Sequence, residues 1–170
     1  WTVPSNLAVC VNPELSYAKV RDGERNVTFY LAEARVAAYA ERHDLEVLEV
    51  VPGAALAGRR YTPAFAYFED QRDVGAFTVI TGDYVTADDG TGLVHQAPAF
   101  GEDDYNAFRA AGLGAFAMPV GLDGRFDAQV SDFAGQHVKD ADREIIRHLK
   151  ETGALYEQDV IVHSYPFCYR

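Results

Sequence analysis

The chain is poor in cysteine, in basic residues and in long apolar runs. Among its 170 residues are two cysteines, 15 Lys and Arg, and 26 Asp and Glu, which gives a formal net charge of −11. The longest clear apolar run covers residues 7–11, whereas a membrane-spanning helix needs about 18 apolar residues. A signal-peptide pattern is also missing at the start. These absences argue against a membrane protein.

The two cysteines indicate a reducing compartment. Cys10 and Cys168 lie near opposite ends of the chain, and neither belongs to a Cys-x-x-Cys pair. Two thiols are too few for a disulfide framework, so we expect both to be free. A bridge between the two chain ends is the less favoured alternative.

The acidic charge argues against a self-sufficient nucleic-acid binder. Proteins with that role carry a basic stripe, but here the basic residues are scattered, with small groups at positions 59–60 and along 139–150. If this chain meets a nucleic acid, most of the affinity must come from other parts of the assembly.

Composition and length indicate one globular domain. Apolar residues make up 48% and charged residues 24%, which is ordinary for a folded chain and excludes disorder. We find no repeat, low-complexity tract or linker, so residues 1–170 are predicted to form a single domain. Because the chain opens at Trp1 without a methionine, we expect it to be a piece of a longer protein.

Local patterns predict more strands than helices. The predicted strands are 7–12, 16–20, 27–31, 46–51, 77–81, 93–96 and 155–163. The predicted helices are 32–43, a segment opening at 101–104 and stopping at Gly112, and about 138–152. A further hairpin is expected around Asp123 and Gly124. Turns join most of the strands, so we expect a mainly β fold of the α+β class: an antiparallel, barrel-like or curled sheet with peripheral helices.

The segment with chemical content is residues 90–105, GTGLVHQAPAFGEDDY. A glycine turn lets a ligand approach the backbone closely, and His95 lies on the strand that leaves this turn. Pro98 and Gly101 then redirect the chain into a helix whose first turn contains Asp104. An imidazole and a carboxylate therefore lie on consecutive elements and are predicted to face one cleft.

Each of these residues also has a purely structural interpretation. Acids at a helix start usually cap the helix or oppose its dipole, a strand histidine usually packs, and Gly-Thr-Gly alone is a turn. The run Glu102, Asp103 and Asp104 is alternatively a divalent-metal site, which would indicate a metal-dependent phosphoesterase. Consecutive helix residues do not face each other, however. A non-catalytic binding module is a third alternative.

A second acidic pattern, Asp140-x-Asp142-x-Glu144, is similar to a calcium loop. Ile145 occupies the position where that loop requires glycine, so we reject the assignment.

Three segments together resemble a known family. Residues 1–8 (WTVPSNLA), 90–105 and 163–170 (HSYPFCYR) resemble the editing, or connective-peptide, domain of isoleucyl-tRNA synthetases, which are class I aminoacyl-tRNA synthetases. Their order and spacing match from end to end. His95 and the terminal His-Ser-Tyr-Pro favour the isoleucyl enzymes over the related leucyl and valyl enzymes.

The resemblance implies a hydrolase that proofreads. It implies a barrel-like domain of a large cytoplasmic synthetase that hydrolyses valyl-tRNA(Ile) after transfer and excludes isoleucyl-tRNA by pocket size. Asp104 would hold the α-ammonium group, and His95 would bound the side-chain pocket; these two are the candidate catalytic residues. The other implied substrate-binding residues are Trp1, Thr2, Gly90, Thr91, Gly92, Ala97 and Pro98.

The resemblance also implies the cofactors and partners. No metal or cofactor is expected in this domain; ATP, and zinc as a further candidate, belong to the rest of a full-length synthetase. The expected partners are the 3′ end of tRNA(Ile) carrying valine and the other domains of the same synthetase, in a monomer. No nucleophilic serine or cysteine pair is visible, so we expect a bound water to attack the ester carbonyl.

Overall fold

The computed structural model describes residues 1–88 and 90–159, and within them it has six strands and three α-helices. The strands are β1 (Ala8–Val11), β2 (Ser16–Asp22), β3 (Val27–Ala32), β4 (Leu45–Pro52), β5 (Thr78–Thr81) and β6 (Leu93–Gln96). The α-helices are α1 (Val36–Ala40), α2 (Glu102–Ala110) and α3 (Val138–Glu151). Short 3-10 helices cover Val3–Ser5, Glu33–Arg35, Gly53–Leu56, Glu69–Val74 and Ser131–Phe133.

The strands form two three-stranded sheets. The first sheet has the order β5-β1-β6 and the second has the order β3-β2-β4. The predicted α+β class, mainly β with peripheral helices, is confirmed. Every pair is antiparallel except β1 with β5, which is parallel. Parallel neighbours need a long crossover, and residues 12–77, which include the whole second sheet, supply it.

The predicted helix at 32–43 is shorter than expected. Glu33–Arg35 is a 3-10 helix, and α1 ends at Ala40. Leu45 already pairs with Asp22 in the second sheet, so residues 41–44 are needed to turn the chain. A helix of this length is not stable without tertiary packing, and within α1 only Tyr39 is buried.

The C-terminal segment differs from the prediction as well. Residues 155–159 form no strand, because side chains rather than backbone attach them to the second sheet. The ring of Tyr156 packs at 4.4 Å from that of Phe29, and its hydroxyl donates to Asp22 Oδ2 at 2.8 Å. The predicted strand residues 160–163, the motif at 163–170 and Cys168 lie outside the described residues, as does Asp89.

The largest core lies between the first sheet and helices α2 and α3. On β1, Ala8 and Cys10 face this core, while the side chain between them, Val9, points to the opposite face. Helix α3 buries the four apolar side chains whose spacing predicted it: Val138, Ala141, Ile145 and Leu149. Among the described residues no helix is long and apolar enough to cross a membrane.

Candidate functional site

The C-terminal end of β6 lies beside the N-terminal segment of the chain. Strand β1 runs antiparallel to β6, and Leu7 N donates to Gln96 O at 3.0 Å. In this register His95 pairs with Val9, and Val9 pairs with Val79 on β5. Cross-strand partners share a face of the sheet, and all three side chains are partly exposed. They form a mixed apolar and imidazole row on one face of the sheet, where Val79 also packs against a second core cluster.

The His95 ring is held from both nitrogen atoms. Asn6 Nδ2 lies 2.8 Å from His95 Nδ1, and Thr2 Oγ1 lies 3.1 Å from His95 Nε2. Asn6 Nδ2 also donates to Ala8 O at 2.8 Å, while Asn6 Oδ1 accepts from the Tyr61 hydroxyl. These contacts orient the amide group so that its nitrogen faces the ring. We therefore assign the ring proton to Nε2, because Nδ1 must accept and Nε2 then donates to Thr2.

Burial keeps the imidazole neutral. Desolvation lowers the pKa of His95 to about 4, although the negative charge of Asp104 acts to raise it. At neutral pH the ring is therefore an uncharged group that donates from Nε2. In this tautomer neither nitrogen has a lone pair available to take a proton from water, since Nδ1 already accepts from Asn6.

Asp104 is the third residue of α2, and its carboxylate folds back to the end of β6. Asp104 Oδ2 accepts from Ala97 N at 2.7 Å, so this side chain ties the helix start to the strand end. Gly101 makes the contact sterically feasible, because a Cβ there would lie 2.9 Å from Asp104 Cγ. The helix dipole favours an anion at this position. Within the described residues Asp104 Oδ1 has no partner and can accept from a ligand.

The three consecutive acids do not form a metal centre. Glu102 and Asp103 are exposed, while Asp104 is bound to Ala97. In residues 1–88 and 90–159, no group of three or more His, Cys, Asp or Glu is arranged to hold a metal ion. The geometry gives the phosphoesterase alternative no support.

Trp1 and Pro98 complete this end of the strand. The Trp1 ring packs edge-on against Phe100, with 4.9 Å between the ring centroids. Pro98 is buried and also lines a cavity of about 360 Å³ on the side of α2, which His95 and Asp104 do not line. The structure therefore brings six predicted site residues to one end of the first sheet: Trp1, Thr2, His95, Ala97, Pro98 and Asp104.

Gly90, Thr91 and Gly92 lie at the other end of β6. Gly92 and His95 are three positions apart, or about 10 Å along a strand. The turn is held by the second sheet: Ala32 N donates to Thr91 O and Tyr17 Oη donates to Gly92 O, each at 2.7 Å. Gly92 has φ +73°, and a Cβ there would lie 2.5 Å from Ala32 Cβ. The group that lies so close that position 92 requires glycine is therefore a residue of the protein itself.

Four residues of this site were not predicted: Asn6, Tyr61, Val9 and Val79. Asn6 lies within the recognised segment 1–8, and its position just before a strand was the one signal available. Tyr61 lies in a loop 55 positions from Asn6, and no local pattern connects the two. The strand register decides which apolar side chains flank His95, and no residue pattern shows that register.

The chain has close relatives among known proteins, although no family model matches it. It is 48% identical to the cytoplasmic isoleucine–tRNA ligase of Mus musculus, 46% identical to the isoleucine–tRNA ligase of Bdellovibrio bacteriovorus and 48% identical to that of Mycobacterium tuberculosis. Each match covers the whole chain but only 14–17% of the relative.

The fold is shared with a solved structure described as "The crystal structure of GlLeuRS-CP1". The TM-score is 0.68 at 17% sequence identity, and the match covers 98% of this chain and 81% of the other. At this identity the likeness concerns the fold alone.

Proposed function

We propose that this chain, which is homologous over its whole length to one region of the isoleucine–tRNA ligases, is an editing domain. Its substrate is valyl-tRNA(Ile), and its reaction is hydrolysis of the ester that joins valine to the terminal adenosine. The homology confirms the resemblance drawn from residues 1–8, 90–105 and 163–170. The fold shared with the GlLeuRS-CP1 structure supports the same assignment.

The observation that carries the proposal is the hydrogen bond from Ala97 N to Asp104 Oδ2, which fixes a carboxylate near His95, where its negative charge acts on the imidazole. One carboxylate oxygen is fixed by Ala97 N, and the other has no partner among the described residues. A fixed, partly desolvated carboxylate is the partner that an α-ammonium group requires, because charge-assisted hydrogen bonds are the strong ones. Asp104 thus anchors the amino group of the mischarged valine.

Size discrimination follows from the rigidity of the row. Val9 and Val79 offer apolar contact to a valine side chain, and His95 closes the row with a ring held by Asn6 and Thr2. A larger side chain would have to displace this held ring, and forcing one methylene into a filled site costs roughly 1–3 kcal/mol. A second, smaller site is needed because a single methylene gives one binding site little discrimination between two amino acids. The isoleucyl enzymes are the standard illustration of this problem.

Water is the nucleophile in the proposed reaction. It attacks the ester carbonyl carbon, the acyl C–O bond breaks, and the ribose oxygen leaves with a proton. The Thr2 hydroxyl accepts from His95 Nε2, so its own hydrogen is directed to the substrate or to the attacking water. His95 acts here as a positioning residue that orders Thr2 and bounds the pocket.

The remaining assignments concern the setting of the domain. We propose that it acts in the cytoplasm, as the descriptions of two relatives state for those proteins. It works within a monomeric synthetase whose other domains supply most of the affinity for tRNA(Ile), because its own charge is −11. The proposed reaction uses no metal or cofactor of this domain.

Replacement of Asp104 tests the proposal. In a ligase that contains this chain, Asp104→Ala is expected to lower kcat/KM for deacylation of valyl-tRNA(Ile) by roughly 100-fold, because a hydrogen bond to a charged group contributes about 1.5–3 kcal/mol. Asp103→Ala is the matched control, since that exposed carboxylate lies on the same helix turn, and it should retain activity. Full activity of Asp104→Ala would remove Asp104 from this role.

Replacement of His95 tests the selectivity. His95→Ala opens the end of the row, so the variant should begin to deacylate correctly charged isoleucyl-tRNA(Ile). The measurement is the ratio of the deacylation rates for the valyl and isoleucyl esters. If that ratio equals that of the parent enzyme, His95 is a structural residue only.

A further inference from the structure

A second concave surface adjoins the proposed editing site on the side of α2. A cavity of about 360 Å³ is lined by Pro98, by Tyr105 and Arg109 of α2, and by residues 113–116, which end in Phe116. Tyr105 directly follows Asp104 in the chain, and Pro98 directly follows Ala97. The cavity therefore begins one residue away from each partner of the Asp104–Ala97 hydrogen bond.

The lining of this cavity combines flat apolar rings with one cation. Tyr105 is 46% exposed and Phe116 is 50% exposed, which is unusual for rings of this size. The guanidinium of Arg109 makes no ion pair with a carboxylate of the described residues. Aromatic faces beside an unpaired arginine suit a nucleobase with its attached phosphate.

The charge of the chain favours a base-centred contact. With a net charge of −11 and exposed Glu102 and Asp103 in the first turn of α2, the surface repels a phosphate backbone except next to the guanidinium of Arg109. Base stacking needs no basic groove, because every base presents a π face. A single-stranded RNA end whose last nucleotide reaches Asp104 must also place its preceding nucleotides on the surface next to that residue.

We propose that this cavity binds a nucleotide of the single-stranded 3′ end of tRNA, upstream of the terminal adenosine. The base stacks on Tyr105 and Phe116, and Arg109 contacts the phosphate. This inference rests on the proposed editing function and assigns a subsite for the same substrate. It makes α2 a two-sided element, with Asp104 directed to the aminoacyl group and Tyr105 and Arg109 directed to the RNA.

A binding measurement that needs no editing activity tests the subsite. The probe is a 5′-fluorescein-labelled RNA hexanucleotide ending in CCA, titrated with a ligase that contains this chain and followed by anisotropy. Tyr105→Ala and Phe116→Ala should each weaken binding roughly 5- to 100-fold, the range that loss of one stacked base produces. Leu122→Ala is the control, because that side chain is fully exposed and lies outside the cavity lining.

Arg109 has a separate signature in the same assay. Arg109→Ala should reduce the slope of log binding constant against log salt concentration by about 0.7, the value for one phosphate contact on a single strand. Arg109→Lys should restore the slope because it keeps the charge.

Kinetics on the aminoacylated substrate complete the test. In a ligase that contains this chain, Tyr105→Ala and Phe116→Ala should raise KM for valyl-tRNA(Ile) and change kcat by less than two-fold.

If the folded variants bind the hexanucleotide as tightly as the parent protein does, the proposed subsite is wrong, even if editing is intact. If they impair aminoacylation without affecting RNA binding, the cavity is a contact for another domain, which also overturns the proposal. A parent ligase without deacylase activity would refute the editing function alone.

Discussion

The glycine turn at residues 90–92 and the segment at 97–104 flank the same strand, β6, but different interactions hold them. At the glycine end the turn contributes backbone atoms only: Thr91 O accepts from Ala32 N, Gly92 O accepts from the Tyr17 hydroxyl, and Gly92 lies against the Ala32 methyl group. At the other end side chains make the contacts, with Asp104 on Ala97 N and His95 between Thr2 and Asn6.

The two ends of this strand therefore have different roles: the glycine end supports the fold, and the histidine end carries the groups proposed for the chemistry. At the glycine end Thr91 O and Gly92 O have partners within the protein, and Gly92 leaves no space for a side chain. The histidine end keeps groups that can still bind a ligand: one Asp104 oxygen, the hydrogen of the Thr2 hydroxyl and the partly exposed row of Val9 and Val79. We therefore expect substitutions at the glycine end to lower stability and substitutions at the histidine end to change chemistry.

The largest effect on stability is expected at the glycine end. Gly92→Ala combines a positive φ with a Cβ placed 2.5 Å from Ala32 Cβ, so the free energy of unfolding should fall by about 2–4 kcal/mol. Gly90→Ala is the matched control, because it has φ +56° but nothing within 4 Å of the added Cβ. It should lose only about 1 kcal/mol. Urea unfolding of both variants measures the difference, and equal losses would contradict the close-approach argument.

A pH dependence is expected at the histidine end. The pKa of His95 is about 4 in the folded chain and about 6.5 in an unfolded one. At pH values between these two, His95 is protonated in the unfolded chain and neutral in the folded chain. The contribution of neutral His95 is therefore complete above pH 6.5 and is lost as the pH falls toward 4, by about 3 kcal/mol in total.

The stability difference between the parent chain and His95→Gln, followed from pH 7 to pH 4, isolates this contribution. His137→Asn is the control, since His137 is the N-cap of α3 and asparagine is a favoured cap. A parent chain whose pH profile has the same slope as that of His95→Gln would show that folding does not lower the pKa of His95.

The smallest effect is expected from Tyr61, which acts on His95 through Asn6. Tyr61→Phe removes the hydroxyl that donates to Asn6 Oδ1 and should cost about 1 kcal/mol. Tyr30→Phe is the control, because its hydroxyl binds exposed Arg59, and it should cost less. The 15N chemical shifts of the His95 ring give a sharper readout, since a loosened Asn6 no longer fixes the Nε2–H tautomer. Unchanged shifts would separate Tyr61 from the site.

Elements with strong local signals could be predicted closely. Helix α3 was expected at about 138–152 and is found at Val138–Glu151, because apolar spacing, acids early and bases late all agree. Strand β6 was predicted with its observed bounds, since a glycine turn precedes it and Pro98 follows. The helix predicted at 32–43 is longer than the observed one, because that prediction rested on composition. In the structure the pairing of Leu45 with Asp22 limits the length of the helix.

The candidate site could be predicted only as a set of residue types. The motif at 90–105 placed His95 and Asp104 on consecutive elements, as found, but it also grouped them with a glycine turn that lies at the opposite end of the strand. The roles of Asn6 and Tyr61 could not be found, because their contact with each other joins segments 55 positions apart and no local pattern links the two.

The sequence alone determined the α+β class, the positions of elements with strong local patterns such as α3 and β6, and the relationship to the isoleucine–tRNA ligases, because these depend on patterns within short segments. The tertiary structure decided the parallel pairing of β1 with β5, the hydrogen bond between Asp104 and Ala97, and the neutral state and tautomer of His95. The physical reason is that burial and hydrogen bonding at this site come from segments far apart in the chain, which only the folded backbone brings together.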